Sequence, residues 1–183
     1  MDGAIYEMQK AEIVRAFKML PNGNGALPHD IFVEIARVWY LIAFEAVLLR
    51  KGRNGIEVYL TQRDQNDPFY PKEWHAPGSI LLPREAPDNV ARRLGNKEFK
   101  NPITDSILVG HKFHQEARGW MLSMVFLTTV PDLSHAGGTW YPVNALPENT
   151  VSSHVKWIIP MAVAVFKRRH GWRAWFGKLL RLV

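Results

Sequence analysis

The stretch Trp39–Arg50, WYLIAFEAVLLR, constrains this chain more than any other. Its residues are mostly apolar or aromatic, and it contains neither Pro nor Gly. That pattern reads as a buried strand. Lys51-Gly-Arg-Asn-Gly55 follows as a hairpin turn, and Ile56–Arg63 alternates as a second strand. The apolar run from Val38 to Leu49 is interrupted by Glu45 and is too short to span a bilayer. The N-terminus carries acids where a secretory signal requires a basic and then an apolar region. These features predict a soluble protein of the cytoplasm.

The 183 residues fit one domain with a real core, and the absence of cysteine excludes disulfides, thiolate nucleophiles and zinc knuckles. The net charge of +6 is unevenly spread. Residues 1–148 hold all seventeen acids against sixteen cations, a net −1, while the remaining seven cations share the acid-free tail. A generally basic nucleic-acid-binding surface is therefore not indicated.

Periodicity predicts helices over residues 5–20 and 29–37, with Ile5, Met8, Ile13, Phe17 and Leu20 near one face of the first. A three-proline loop leads to a short strand at residues 79–82, then a helix over 88–99. Strands at 103–113, 119–130 and 139–143 precede a long apolar helix that begins near Leu146 and is kinked at Pro160. The interleaving predicts an α/β sandwich with a mixed sheet.

Three segments in order carry a family resemblance: Leu60-Thr-Gln-Arg63, Trp74-His-Ala-Pro-Gly-Ser79, and Arg84-Glu-Ala-Pro-Asp-Asn-Val-Ala-Arg-Arg-Leu94. Together with Thr139-Trp-Tyr-Pro-Val-Asn-Ala-Leu-Pro147, they resemble the Nudix hydrolase superfamily. Its box reads G-x5-E-x7-R-E-U-x-E-E-x-G-U, where U is a bulky aliphatic residue. The resemblance covers about residues 39–168 and implies an α/β/α Nudix-like sandwich at residues 38–169. An N-terminal helical segment packed on it, 1–37, and a basic amphipathic C-terminal helix, 170–183, complete the expected organisation.

The resemblance also implies a site. In the family, helix carboxylates hold Mg²⁺ or Mn²⁺ against a diphosphate. Here Glu85 falls at the box Glu and Arg93 at the box Arg, but Leu94 and Lys97 stand where two helix Glu residues belong, leaving Glu98. A Lys about 4 Å from a divalent cation repels it by several kcal/mol. The expectation is a divergent member with a degenerate box and weak or no hydrolysis, which still binds a nucleotide-like or other phosphorylated ligand.

Gly78, Ser79, Arg84, Arg93, Trp74 and His75 are the implied ligand-binding residues, with Arg92 and Lys97 also suited to phosphate. The same cations also suit a solvated helix face. The alternative expectation is an active pyrophosphohydrolase with Glu85 and Glu98 catalytic and Glu85, Glu98 and Glu116 as metal ligands, with His114 as a further candidate. A non-catalytic interaction scaffold is the third reading.

On a strand, His114 and Glu116 share a face and His111 points away; His114 also reads as a strand-end histidine in a polar turn. Phe69, Tyr70 and Trp74 suit either a nucleobase-stacking frame or core positions. Glu116 or Glu148 offers a stand-in base. The C-terminal stripe of Trp172, Trp175, Phe176, Leu179, Leu180 and Val183 suits the domain's own core, a second subunit, a protein partner or a membrane surface.

Overall fold

The computed structural model describes residues 3–20 and 27–179, with side chains over 7–20 and 27–169. The apolar run forms β1 (Leu41–Val47), and after Leu48 it continues as β2 (Leu49–Gly52). Leu48 is where the chain changes sheets. β1 pairs in one sheet, whereas β2 turns back on β3 (Gly55–Gln62) in another. Trp39 and Tyr40, expected inside the strand, precede it and are exposed.

Two further short strands follow, β4 (Trp74–His75) and β5 (Gly78–Ile80), and then helix α3 (Pro87–Leu94). A long hairpin, β6 (Asp105–Glu116) and β7 (Gly119–Thr129), completes the first sheet in the order β5-β1-β7-β6. The β1–β7 pair is parallel and the others antiparallel, so this sheet is mixed. In the second sheet, β3 pairs with β2, β4 and β8 (Thr139–Pro142), all antiparallel.

Both faces of the first sheet are covered, which accounts for the nearly continuous hydrophobicity of β1. Phe44 and Ala46 pack with Val90, Ala91, Leu94 and Phe99 on one side. There Phe44 stacks on Phe126 with centroids 4.0 Å apart. On the other side, Val47 and Val125 meet Ile158, Ile159 and Ala162 from the C-terminal helical segment. The result is the α/β/α sandwich expected from the sequence.

Several boundaries differ from the periodicity. The helix over 88–99 is α-helical only to Leu94; Gly95–Phe99 makes a π turn, closed by left-handed Lys100. The C-terminal helix also starts late. Residues near Leu146 form turns instead, and the chain just after them is tied to Trp74, whose N–H donates to the Asn149 carbonyl and whose carbonyl accepts from the Val151 N–H. A π turn at His154–Ile158 then leads into α4 (Ile159–Leu179). This wider turn lies directly before Pro160, whose ring is incompatible with a regular i→i−4 ladder. The expected apolar stripe from Trp172 onward lies outside the described side chains.

At the N-terminus, α1 (Gly3–Met19) is exposed from Glu7 through Met19, whereas α2 (His29–Val38) packs Phe32 and Ala36 over Leu41, Ala43 and Met121. Gly119 makes the α2 contact possible. It has φ +128°, and a Cβ there would run into the Ala36 carbonyl. Gly119→Ala is expected to cost about 2–4 kcal/mol through combined strain and overlap. Urea unfolding measures this directly; a loss below about 0.5 kcal/mol would contradict the tight α2 contact.

Candidate functional site

The chain from Trp74 to Ser79 is pinned at both ends. β4 pairs His75 with Thr61, and β5 pairs Gly78 with Glu45. Glycine at 78 follows from close approach, because a Cβ would overlap the Glu45 carboxylate. One side of this segment faces α3; the other faces the sheet interior.

On the α3 side, Arg93 makes a closed clamp. Its Nε donates to Glu85 Oε1 at 3.0 Å and its Nη2 to Glu85 Oε2 at 2.8 Å. Nη1 donates to Ser79 Oγ at 2.7 Å, and Nη2 also reaches the Ile80 carbonyl at 2.9 Å. Glu85 additionally accepts the Leu82 N–H. The Arg93 bonds foremost, against some desolvation, hold its carboxyl below the usual range. Arg84, just before it, adopts a left-handed φ of 62° to place this turn.

Beyond the clamp lies an open groove of about 510 Å³ lined by Glu85, Asn89, Arg92, Arg93, Asn96 and Lys97. Arg92 donates to Asn89 Oδ1 at 3.0 Å, while the exposed Lys97 lies 3.3 Å from Glu98. Three cations and two amides thus surround one carboxylate that is already bidentately paired. Of the residues expected to bind ligand, Arg93 therefore lines this groove, while Ser79 supports it through Arg93.

This donor set does not fit Mg²⁺ or Mn²⁺. Glu85 is occupied by Arg93, and Glu98 is next to an ammonium. Among the described residues, no group of three or more His, Cys, Asp or Glu side chains is arranged to hold a metal. The alternative set of Glu85, Glu98, Glu116 and His114 is thus not brought together: Glu116 and His114 belong to the interior side, and Glu148 is exposed.

The interior side holds a buried polar network that the sequence reading did not assemble. Glu45 accepts from Ser123 Oγ at 3.3 Å, and Ser123 Oγ lies 2.9 Å from His114 Nε2. His114 Nδ1 is 3.7 Å from Glu116 Oε1. Glu116 accepts from Ser153 Oγ and, at 3.0 Å, from Tyr70 Oη. Arg118 lies 3.6 Å from Glu116, and the Arg63 and Arg118 guanidiniums flank the Tyr70 ring. His75 contacts Thr61 at 3.3 Å, and His154 accepts the Ala76 N–H. Among the described residues, the buried nitrogens Arg63 Nε, His75 Nδ1, His114 Nδ1, Arg118 Nε and Trp157 Nε1 find no hydrogen-bond partner.

Burial sets the ionisation of these groups. Glu45 is raised to about 7 by burial first and then by the negative Glu116, against the opposing Arg118 and Arg63 charges. Burial also lowers His75 to about 3 and lowers His114 and His154, keeping all three imidazoles neutral. Desolvation raises Glu116, but Ser153, Arg118 and Tyr70 outweigh it and hold the carboxyl below its ordinary range. Asp67 behaves similarly: burial raises it, while the Tyr70 and Phe69 N–H groups and Arg63 bring it to about 2.

These placements revise two sequence readings. His114 does lie near the end of its strand, β6, but it is buried against Trp157, ring centroids 5.2 Å apart, and not in a polar turn. Nor do Phe69, Tyr70 and Trp74 form one stacking frame: Tyr70 lies between arginines, Trp74 packs on Tyr141, and Phe69 approaches His29. The overlooked signal was Glu45 itself, a charged residue within a run otherwise fit for the core.

The sequence matches no family model and no curated protein. Solved structures do match in fold. The MutT protein from Methanosarcina mazei Go1 aligns at 18% identity over 67% of this chain and 92% of its own, with a TM-score of 0.53. The NUDIX domain of Shewanella oneidensis NrtR, complexed with ADP ribose, aligns at 18% identity over 76% and 99%, TM-score 0.54. The C. elegans Ap4A hydrolase aligns at 17% identity over 70% and 99%, TM-score 0.51. The fold of this chain is that of the Nudix superfamily.

Proposed function

We propose that this Nudix-fold protein binds a phosphate-bearing small molecule of the nucleoside diphosphate-linked type and has lost ordinary metal-dependent pyrophosphate hydrolysis. The observation that carries this reading is the groove beside α3, where Arg92, Lys97, Asn89 and Asn96 offer donors and the lining carboxylate is spent on Arg93. Phosphate oxygens accept such donors strongly, and no divalent ion is needed to offset their charge. The ADP ribose bound by the NrtR domain supports the ligand class.

Titration calorimetry with ADP ribose in the presence of EDTA tests the reading. Binding is expected without metal, and the Arg92→Glu, Lys97→Glu double variant is expected to weaken it at least ~10-fold. Release of a mononucleotide on adding Mn²⁺, abolished by Glu98→Gln, would instead establish a hydrolase. The exposed positions of both cations make the double variant a test of binding and not of folding.

A second reading, acid–base chemistry, is favoured by the Glu45 carboxyl directly against Gly78, raised to about 7 chiefly by burial. It predicts a metal-independent turnover whose pH profile loses one limb in Glu45→Gln. Unchanged profiles would eliminate it.

A further inference from the structure

Strand β5 joins the two sides of the first sheet through three consecutive residues. Gly78 lies against the Glu45 carboxyl on the interior side, so closely that a Cβ would overlap it. Ser79 and Ile80 hold Arg93 on the α3 side, which donates to Ser79 Oγ at 2.7 Å and to the Ile80 carbonyl at 2.9 Å. Arg93 in turn lines the groove proposed for phosphate. One short strand therefore separates the buried carboxyl from the groove.

That strand is also the neighbour of Glu45 best able to yield. β5 has three residues, lies at the edge of its sheet and pairs with β1. On its other side β1 pairs with the eleven-residue β7. There Ser123 Oγ donates to the Glu45 carboxyl at 3.3 Å and is itself 2.9 Å from His114 Nε2. A short edge strand opens at lower free energy than a long central one.

We infer that β5 is a latch set by the proton on Glu45. The neutral carboxyl keeps the strand seated and Arg93 in place, whereas the carboxylate displaces the strand and loosens the groove. The inference rests on the phosphate reading of that groove and adds its regulation.

The groups facing Glu45 leave a carboxylate poorly compensated. Glu116 on β6 repels it, while Arg118 after β6 and Arg63 after β3 attract it. Both guanidiniums are already shared, Arg118 lying 3.6 Å from Glu116 and Arg63 donating to Asp67 at 2.8 Å. Burial keeps His114 on β6, His75 on β4 and His154 in the π turn neutral. Burial first, and then Glu116, bring the Glu45 carboxyl to about 7. The charge formed above that value gains most from water, and moving the edge strand admits it. Binding that needs the protonated form weakens as pH rises through 7, and bound ligand keeps the proton on Glu45 to higher pH.

Titration calorimetry with ADP ribose in EDTA is expected to show affinity falling about 5- to 10-fold between pH 6 and pH 8. Glu45→Gln has no proton to lose and is expected to bind within about 2-fold at both. Amide exchange without ligand reads the strand directly. The Leu81 N–H, bonded to the Ile42 carbonyl at 2.8 Å, is expected to exchange faster in the unmodified chain than in Glu45→Gln at pH 8, and alike at pH 6. Affinity that does not fall by pH 8, or falls equally in Glu45→Gln, would overturn the inference. Equal Leu81 exchange in the two proteins at pH 8 would overturn it as well. No binding of ADP ribose at either pH would overturn the phosphate reading instead, and the exchange comparison still decides whether β5 follows the Glu45 proton.

Discussion

Glu45→Gln is expected to stabilise the protein by about 3 kcal/mol at pH 8 relative to its effect at pH 4. The expectation follows from the sign of the Glu45 shift. Its folded value is raised from 4.5 to about 7, so between those limits the native state holds a proton that the unfolded chain has released. Its stabilising contribution is full below pH 4.5 and is lost as pH rises through 7. Glutamine keeps the shape and an acceptor for Ser123, but has no charge to bury.

The histidines act in the opposite direction. His75, His114 and His154 have lowered values, so their contribution is present above pH 6.5 and falls on acidification. The difference between wild type and Glu45→Gln separates the two trends, since the variant retains all three imidazoles. Urea titrations at half-unit pH intervals measure it. Parallel curves for the two proteins would mean that Glu45 is ionised without penalty, contradicting the buried network.

Arg93→Ala is expected to destabilise the protein by about 2 kcal/mol, less than a fully buried ion pair would cost because the clamp borders an open groove. Arg93 ties Glu85, Ser79 and Ile80 together, and its removal leaves the Glu85 carboxylate, with only 9% side-chain exposure, without a countercharge. Arg93→Lys restores one charge but cannot reproduce the paired guanidinium bonds, so it is expected to recover less than half the loss. Arg93→Ala, Glu85→Ala together should be less damaging than the sum of the single changes. Additive losses in this cycle would show that the two side chains do not act as a unit.

The clamp also clarifies the positions that the box resemblance singled out. Glu85 and Arg93 occupy matching places in the motif, and the structure joins them to each other across the turn at Arg84. Motif spacing identified the residue types without revealing that their partners were mutual. The interior network was harder to read, because Glu45, Tyr70, Glu116 and Ser153 come from four distant stretches. No local spacing relates them.

Sequence alone determined most of the strands and helices in their order and a hairpin turn after the first apolar run, which the structure narrows to residues 53–54. These depend on periodicity, on turn residues and on the need to remove apolar side chains from water. Tertiary structure alone decided the break at Leu48, the late start of α4 and the grouping of Arg63, Glu45, His114 and Glu116. Sheet exchange and burial bring remote residues within a few ångströms, where desolvation and charge–charge coupling change their chemistry. Such effects depend on three-dimensional distance, which the order of residues along a chain does not specify.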